Sequence, residues 1–391
     1  MADNEFKEIA SALTDKRGID WRALLDLPLL GPILSGLGQT EQNPLHHGEG
    51  NALIHTQRVC EALQSLPEYE AADEKTALTL LLAALLHDVG KLRTTKTEQG
   101  SLVSPGHARV GALMARELLW LAGLSGSAEG QSLREAVCSL VRYHTIPPYA
   151  MKDEGIERRI IGLASQGELA SGFTVKNLCI LERADVLGRV CPDREDYLDR
   201  IEYCALLAEE LGCLDAPYPF SDPYSERAYF KGRTAFAGQS LFNESRCRVI
   251  MLSGLPGTGK DTWIEKNHPD LPMISLDNIR RELGILPTDD QGRVIAEATE
   301  RMRALLREGR DFVYNATSLI SQIRHKWIDL FEAYGASVEL TFLECDLKCG
   351  LERNAGRSGV AVVPEQVIRS MLSKLEVPER VEAEEVKWLI S

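Results

Sequence analysis

The stretch that most restricts what this chain can fold into is Gly254-Leu255-Pro256-Gly257-Thr258-Gly259-Lys260-Asp261. It follows the apolar run Val249-Ile250-Met251-Leu252, which reads as a short buried strand. It precedes Thr262-Trp263-Ile264-Glu265-Lys266, which suits a helix. A glycine-rich turn between a strand and a helix start is built to wrap phosphate. Glycines let the backbone approach closely, N–H groups point inward, and the lysine brings positive charge to the β and γ oxygens. Gly254, Gly257, Thr258, Gly259, Lys260, Asp261 and Thr262 are therefore the expected nucleoside triphosphate contacts. The last position of the loop departs from the usual pattern, because Asp261 stands where Ser or Thr ordinarily meets magnesium. We expect Asp261 to take over part of that ion's coordination.

Beyond this loop, short apolar runs alternate with helix-like segments. Residues 249–252, 272–276, 312–314 and 338–343 read as strands, and 262–267, 278–284, 291–308, 321–334, 347–354 and 364–375 as helices. That alternation predicts an α/β, P-loop-type parallel sheet covered on both faces. Asp277 leaves a strand end at the carboxyl edge, where ligands bind in such sheets, and Arg280 follows three residues later on the same side. An Asp there suits a general base for an acceptor hydroxyl, and an Arg beside it suits an anionic group on the acceptor. The same two residues also suit a helix N-cap with a solvated arginine. Arg353 and Arg357, around the bend Asn354-Ala355-Gly356, look like a mobile lid that neutralises the transferring phosphoryl group.

The first half of the chain reads as all helical. Residues 76–86 form a strongly apolar, Ala- and Leu-rich helix that runs straight into His87-Asp88-Val89-Gly90-Lys91. His55, His107, His144 and Asp185 lie in other helical segments. Neutral imidazoles with carboxylates suit zinc, manganese, iron, cobalt or nickel. His47 and Glu49, in Gln42-Asn43-Pro44-Leu45-His46-His47-Gly48-Glu49-Gly50, are secondary candidates for contact with metal or substrate, and a structural loop accounts for them equally.

Length and charge set the limits. A chain of 391 residues predicts two domains. We place a helical domain at 1–215, a connector at 216–245 and the sheet domain at 246–391. The connector carries Pro217, Pro219 and Pro223, which stop a helix, and Tyr218, Phe220, Tyr224 and Tyr229, which predict ordered packing. The net charge of −14 argues against wholesale electrostatic binding of nucleic acid. It is uneven, with 20 Lys and Arg against 23 Asp and Glu from residue 246 onward, so any such contact rests on a few arginines. Nine cysteines without a CxxC pair argue against a disulfide framework or a zinc ribbon. No apolar run approaches the roughly 20 residues of a membrane span. The start, Met1-Ala2-Asp3-Asn4-Glu5, lacks the build of a secretory leader, so a cytoplasmic enzyme is expected.

In order, His55, His87-Asp88, His107, His144 and Asp185 resemble the HD phosphohydrolase superfamily, an all-helical fold whose His-Asp pair binds metal. The resemblance implies one metal on His55, His87, Asp88 and Asp185. It implies a second bridged by Asp88 and held by His107 and His144. The ions would be two transition metals such as Mn2+, Co2+, Ni2+, Fe2+ or Zn2+. Lys91 resembles the lysine that contacts substrate phosphate in many HD enzymes, although a helix C-terminal cation accounts for it as well.

Residues 246–391 resemble the phage-type polynucleotide kinases, down to Val363-Pro364 and Val367-Ile368-Arg369-Ser370-Met371. This implies ATP or another NTP with Mg2+, with Lys260 on the phosphate donor and Asp277 as general base. Arg280 would hold the acceptor's 3′ phosphate, and Arg353 and Arg357 would be the lid arginines. Asn315 falls where relatives usually carry an acidic residue. The two halves together resemble the bacterial HD–polynucleotide kinase proteins that heal broken RNA. Their partners would be RNA or DNA ends, a triphosphate donor and a separate downstream RNA ligase, with a homodimer compatible and no membrane. Two other functions stay open: an HD nucleotide phosphohydrolase fused to a small-molecule kinase, and a nucleotide-sensing regulatory protein.

Overall fold

The computed structural model describes residues 5–14, 18–152 and 154–391, and residues 1–4, the start whose composition is given above, lie outside them. The chain forms two compact units, Met1–Tyr218 and Pro219–Ser391.

The first unit is helical around a buried helix. α1 (Ala52–Gln64) and α2 (Glu74–Leu86) are followed by a small antiparallel hairpin of β1 (Lys96–Glu98) and β2 (Ser101–Val103). Then come α3 (His107–Leu121), α4 (Ala128–Tyr143), α5 (Val175–Gly188) and α6 (Arg194–Glu210). The hairpin departs from the all-helical expectation, and its residues are exposed or half-buried, so they add little to the core. α2 starts where Asp73 accepts from the Thr76 amide at 3.0 Å. Every residue from Thr79 to Leu86 is buried, the pattern of a helix enclosed on all sides. Its exit therefore delivers His87 and Asp88 into the interior. Gly90 then lets another element come close, since a Cβ there would lie 2.0 Å from the His107 carbonyl oxygen. Only a residue without a side chain allows the start of α3 to reach the end of α2.

The second unit is a five-stranded parallel sheet in the order β4-β5-β3-β6-β7. Its strands are β3 (Cys247–Ser253), β4 (Met273–Ser275), β5 (Phe312–Asn315), β6 (Ala336–Glu344) and β7 (Glu385–Ile390). Around it lie α8 (Lys260–Asn267), α9 (Leu276–Leu283), α10 (Gly292–Glu308), α11 (Ser321–Ala333), α12 (Leu347–Ala355) and α13 (Glu365–Leu372), with α7 (Pro223–Phe230) preceding the sheet. β3, β5 and β6 are buried along nearly their whole length, as a parallel sheet covered by helices requires. Ile250, Leu252, Val313 and Leu343 close a core over Ile264 of α8, which seats the helix after the glycine-rich turn on the central strand.

The segment expected as a connector, 216–245, falls almost wholly within the second unit. Residues 219–245 belong to the second unit because their charged groups pair within it. Arg227 Nε donates to Glu332 Oε1 at 2.6 Å, Lys231 Nζ to Asp329 Oδ1 at 2.6 Å, and Arg380 Nη2 meets Glu226 Oε2 at 2.5 Å. Phe220, Tyr229 and Phe230 pack ring against ring, with centroids 5.4–5.8 Å apart.

Candidate active sites

In the first unit, helix ends aim imidazoles at a common point. His87 and His144 are the C-terminal caps of α2 and α4, and His107 opens α3. Each turns its Nδ1 to a carbonyl three residues back: His87 to Ala84 at 2.8 Å, His107 to Ser104 at 2.9 Å and His144 to Val141 at 2.8 Å. The C-terminal ends of α2 and α4 leave the Ala84 and Val141 carbonyls open to His87 and His144, whereas Ser104 O precedes α3 and also accepts from the His107 amide at 3.3 Å. His55, in the first turn of α1, has Nδ1 2.8 Å from Glu49 Oε1 instead. A neutral ring with its proton on Nδ1 presents an Nε2 lone pair to the interior.

These lone pairs confront one another. His55 and His87 Nε2 are 3.3 Å apart, and His107 and His144 Nε2 are 3.1 Å apart. Asp88 joins the two pairs, with Oδ2 3.3 Å from His87 Nε2 and Oδ1 3.5 Å from His107 Nε2. Asp185 Oδ1 lies 2.9 Å from His55 Nε2 and 3.9 Å from that of His87. The residues thus form two groups able to hold a cation, His55–His87–Asp88 and Asp88–His107–His144, sharing one carboxylate. Opposed imidazole lone pairs repel without a cation between them, so the donor set fits divalent metals.

Electrostatics points the same way. Burial, with the charges of His107 and His87, pushes His144 down to about 3, and burial also lowers His107. Both stay neutral and ready to ligate. His87 moves upward, because Asp88 and Asp185 together outweigh its burial. Those carboxylates would draw any other cation in the same way. Asp88 is itself 2% exposed and lies 2.7 Å from Lys91 Nζ, which also donates to Gln42 Oε1 at 2.6 Å. Lys91 is buried, so its ammonium meets Asp88 and Gln42 and not solvent. Glu49 is shared, with Oε1 2.9 Å from His47 Nδ1 and Oε2 accepting from the Val190 amide at 2.8 Å. It orients His55 as an outer carboxylate orients a metal-binding histidine.

In the second unit, β3 ends at Ser253 and the glycine-rich turn leads into α8. Gly257 has φ +84°, and a Cβ there would fall 2.2 Å from the Gly350 carbonyl oxygen, so the loop has no room for a side chain. Lys260 Nζ donates to the Gly254 and Leu255 carbonyls, each at 2.9 Å. Burial pushes this ammonium down to about 8, with Asp261 opposing the shift and Arg357 adding to it. Thr258 is buried and donates to Leu255 O at 2.9 Å, whereas Thr262 is exposed on the first turn of α8.

Asp277 lies in the first turn of α9 and Arg280 in its last, one turn on, with Arg280 Nη1 2.5 Å from Asp277 Oδ1 and Nε donating to Gln291 Oε1 at 2.7 Å. The N-cap of that helix is Ser275, not Asp277, so capping does not account for the carboxylate. Arg353 Nη1 donates to Ser391 Oγ at 3.1 Å, and Ser391 Oγ donates to Thr258 O at 2.8 Å. Arg353 is thereby linked to the glycine-rich turn. Asn354 clasps the segment after α12 by donating to Val363 O at 2.7 Å and accepting from Val363 N at 3.0 Å.

Two family models match the chain, an HD domain over residues 52–188 and an AAA domain over residues 249–378. The chain thus joins an HD domain to an AAA domain that carries the glycine-rich turn. Solved structures similar to it include a sugar kinase from Janibacter sp. HTCC2649, at 22% identity over 37% of this chain and 84% of that chain, with a TM-score of 0.28. Another is a gluconokinase from Sinorhizobium meliloti 1021, at 22% identity over 37% and 83% of the respective chains, with a TM-score of 0.26. No curated protein matches. Among the described residues no helix is long and apolar enough to cross a membrane.

The first unit holds three participants that sequence reading did not single out. Arg189 pairs with Asp185 through two of its guanidinium nitrogens, Nε donating to Oδ1 at 3.1 Å and Nη2 to Oδ2. Its signal was the i,i+4 spacing on α5. Gln42 anchors Lys91 from 49 residues away, a distance no local pattern reveals. Glu182, one turn before Asp185, is 1% exposed, and burial together with Asp185 raises its carboxyl well above the usual range. In the second unit the unforeseen contact is Asn315 Nδ2 donating to Asp261 Oδ1 at 2.6 Å.

Proposed function

We propose that this protein heals broken RNA ends. The HD domain would open a 2′,3′-cyclic phosphate and remove the monophosphate that results. The kinase-like domain would transfer the γ-phosphate of ATP, or another NTP with Mg2+, to a 5′-hydroxyl. The products, a 3′-hydroxyl and a 5′-phosphate, are the ends a separate ligase needs, so one task uses both sites.

The observation that carries the acceptor assignment is the Asp277–Arg280 pair at the carboxyl edge of the sheet. The carboxylate takes the proton of the attacking 5′-hydroxyl, and the guanidinium holds the 3′ phosphate of the same nucleotide. An uncharged alcohol has no use for that cation. In the HD domain, two divalent transition metals on the His55–His87–Asp88–Asp185 and Asp88–His107–His144 groups would supply an activated water and steady charge on phosphorus. Lys91 stands beside Asp88 to meet the substrate phosphate. The whole reading is tested with an oligonucleotide bearing 5′-hydroxyl and 2′,3′-cyclic phosphate ends. It is incubated with ATP and magnesium, and separately with manganese, cobalt or nickel, and both ends are analysed. Unchanged ends under every condition would exclude it.

Arg280→Ala should raise KM for a 3′-phosphorylated acceptor by on the order of tenfold to a hundredfold, the scale of one charge-assisted hydrogen bond. KM for an acceptor without that phosphate should barely move. Equal changes for both acceptors remove the clamp and favour a small uncharged alcohol as substrate. A second expectation concerns pH. Lys260 must be charged to hold phosphate, and its ordinary affinity for protons is depressed to about 8. Nucleotide bound there favours the protonated form. Affinity is therefore full below pH 8 and weakens above it, approaching about tenfold per pH unit. Calorimetric titration of ATP between pH 7 and 10 reads this directly, and a flat profile assigns the phosphate contact to another cation.

A further inference from the structure

Asp261 is the second residue of α8, immediately after Lys260, and Asn315 ends β5, the strand hydrogen-bonded to β3. In P-loop phosphoryl-transfer sites the magnesium ion is ordinarily held by a Ser or Thr hydroxyl at the first of these positions and by a strand-end carboxylate. This chain departs at both positions, and in opposite senses. The hydroxyl position carries the carboxylate, and the strand end carries the neutral amide. The two side chains touch, with Asn315 Nδ2 2.6 Å from Asp261 Oδ1.

We infer that the carboxylate and the neutral polar partner of the kinase-like domain's magnesium centre have exchanged places, with Asp261 supplying the charge and Asn315 holding it in position. This rests on the reading of the glycine-rich loop as a nucleotide site. Either departure alone would be costly. Asp at both positions would crowd two carboxylates against each other, and Ser with Asn would leave no anion between the loop and the strand. The pair as found keeps one negative charge. Asn315 is 7% exposed, so its amide is fixed by its surroundings and uses one N–H on the carboxylate. That leaves Asp261 Oδ2 and Asn315 Oδ1, two hard oxygen donors, to serve a hard cation.

The exchange has a consequence for binding. An aspartate reaches one bond further than a serine hydroxyl and carries charge, so it brings a full negative charge to the helix end that receives the triphosphate. Without a divalent cation the two anions repel each other. Nucleotide binding should therefore depend on metal more strictly than in a loop ending in Ser or Thr.

The test compares ATP affinity with magnesium and with EDTA, and adds Mn2+ affinity of the nucleotide complex by electron paramagnetic resonance. In Asp261→Asn, metal-free ATP should bind more tightly. Mn2+ affinity should fall by on the order of 10- to 100-fold, the loss typical when a group supporting a metal is removed. The double variant Asp261→Ser/Asn315→Asp returns one carboxylate to the strand and should recover most of the Mn2+ affinity that Asp261→Ser alone loses. Unchanged Mn2+ affinity in Asp261→Asn, or no recovery in a double variant that melts like the unaltered protein, overturns the exchange while ATP binding keeps the nucleotide site. If the unaltered protein binds no ATP with or without metal, both readings go.

Discussion

Lys260→Ala should abolish phosphorylation of a 5′-hydroxyl end and leave opening of the 2′,3′-cyclic phosphate at its unaltered rate. The ammonium lies inside the glycine-rich loop, bonded to the Gly254 and Leu255 carbonyls, where it would meet the β and γ oxygens of a triphosphate. Such a cation neutralises charge that develops during transfer, and its removal costs on the order of 10³-fold in rate. Folding should not suffer. Burial already disfavours the charged form of Lys260, so its loss removes an unfavourable group near neutral pH, and the melting temperature should hold or rise. Transfer of labelled γ-phosphate measures the first activity, and release of phosphate from a cyclic end measures the second. Phosphorylation within tenfold of the unaltered protein would assign the phosphate contact elsewhere. Loss of both activities would mean that the two domains depend on each other.

Much of this was legible from short spacings. The glycine-rich turn between an apolar run and a helix start positioned Lys260, and the apolar stretch ending in His87-Asp88 positioned the buried metal cluster. In both, the chemistry and the local structure lie within a few residues of each other. What escaped depends on contacts between distant segments. β7 (Glu385–Ile390) adds to the sheet edge beside β6, but it is short and half-exposed, so its apolar pattern is weak. The connector's prolines and aromatics marked ordered packing, whereas the partners of Arg227 and Glu226, Glu332 and Arg380, lie over 100 residues away. Asp261 and Asn315 each looked anomalous alone. Their 2.6 Å contact makes them one feature, and a sequence cannot show a contact across 54 residues.

Asp88→Ala should remove the phosphoesterase entirely, whereas His144→Ala should leave half of the metal. The difference follows from geometry. Asp88 turns one oxygen to His87 and the other to His107, so it serves both groups of ligands. His144 faces His107 alone among the Nε2 atoms within 3.1 Å, and its loss spares the His55–His87–Asp88 group. Metal content by elemental analysis should fall from two ions per chain toward none in Asp88→Ala and toward one in His144→Ala. Cyclic-phosphate hydrolysis should drop by at least about 100-fold in Asp88→Ala, since neither water activation nor charge neutralisation survives. Asp88→Asn preserves the side-chain shape and should lose the same activity, which separates metal loss from misfolding. His87→Ala should follow Asp88→Ala in activity but keep the second ion. Phosphorylation of 5′-hydroxyl ends should persist in all four variants, because the kinase-like domain has its own core and its own cation. Retained hydrolysis in Asp88→Asn at full metal content would put the shared carboxylate, and with it the assignment of both ions, in error.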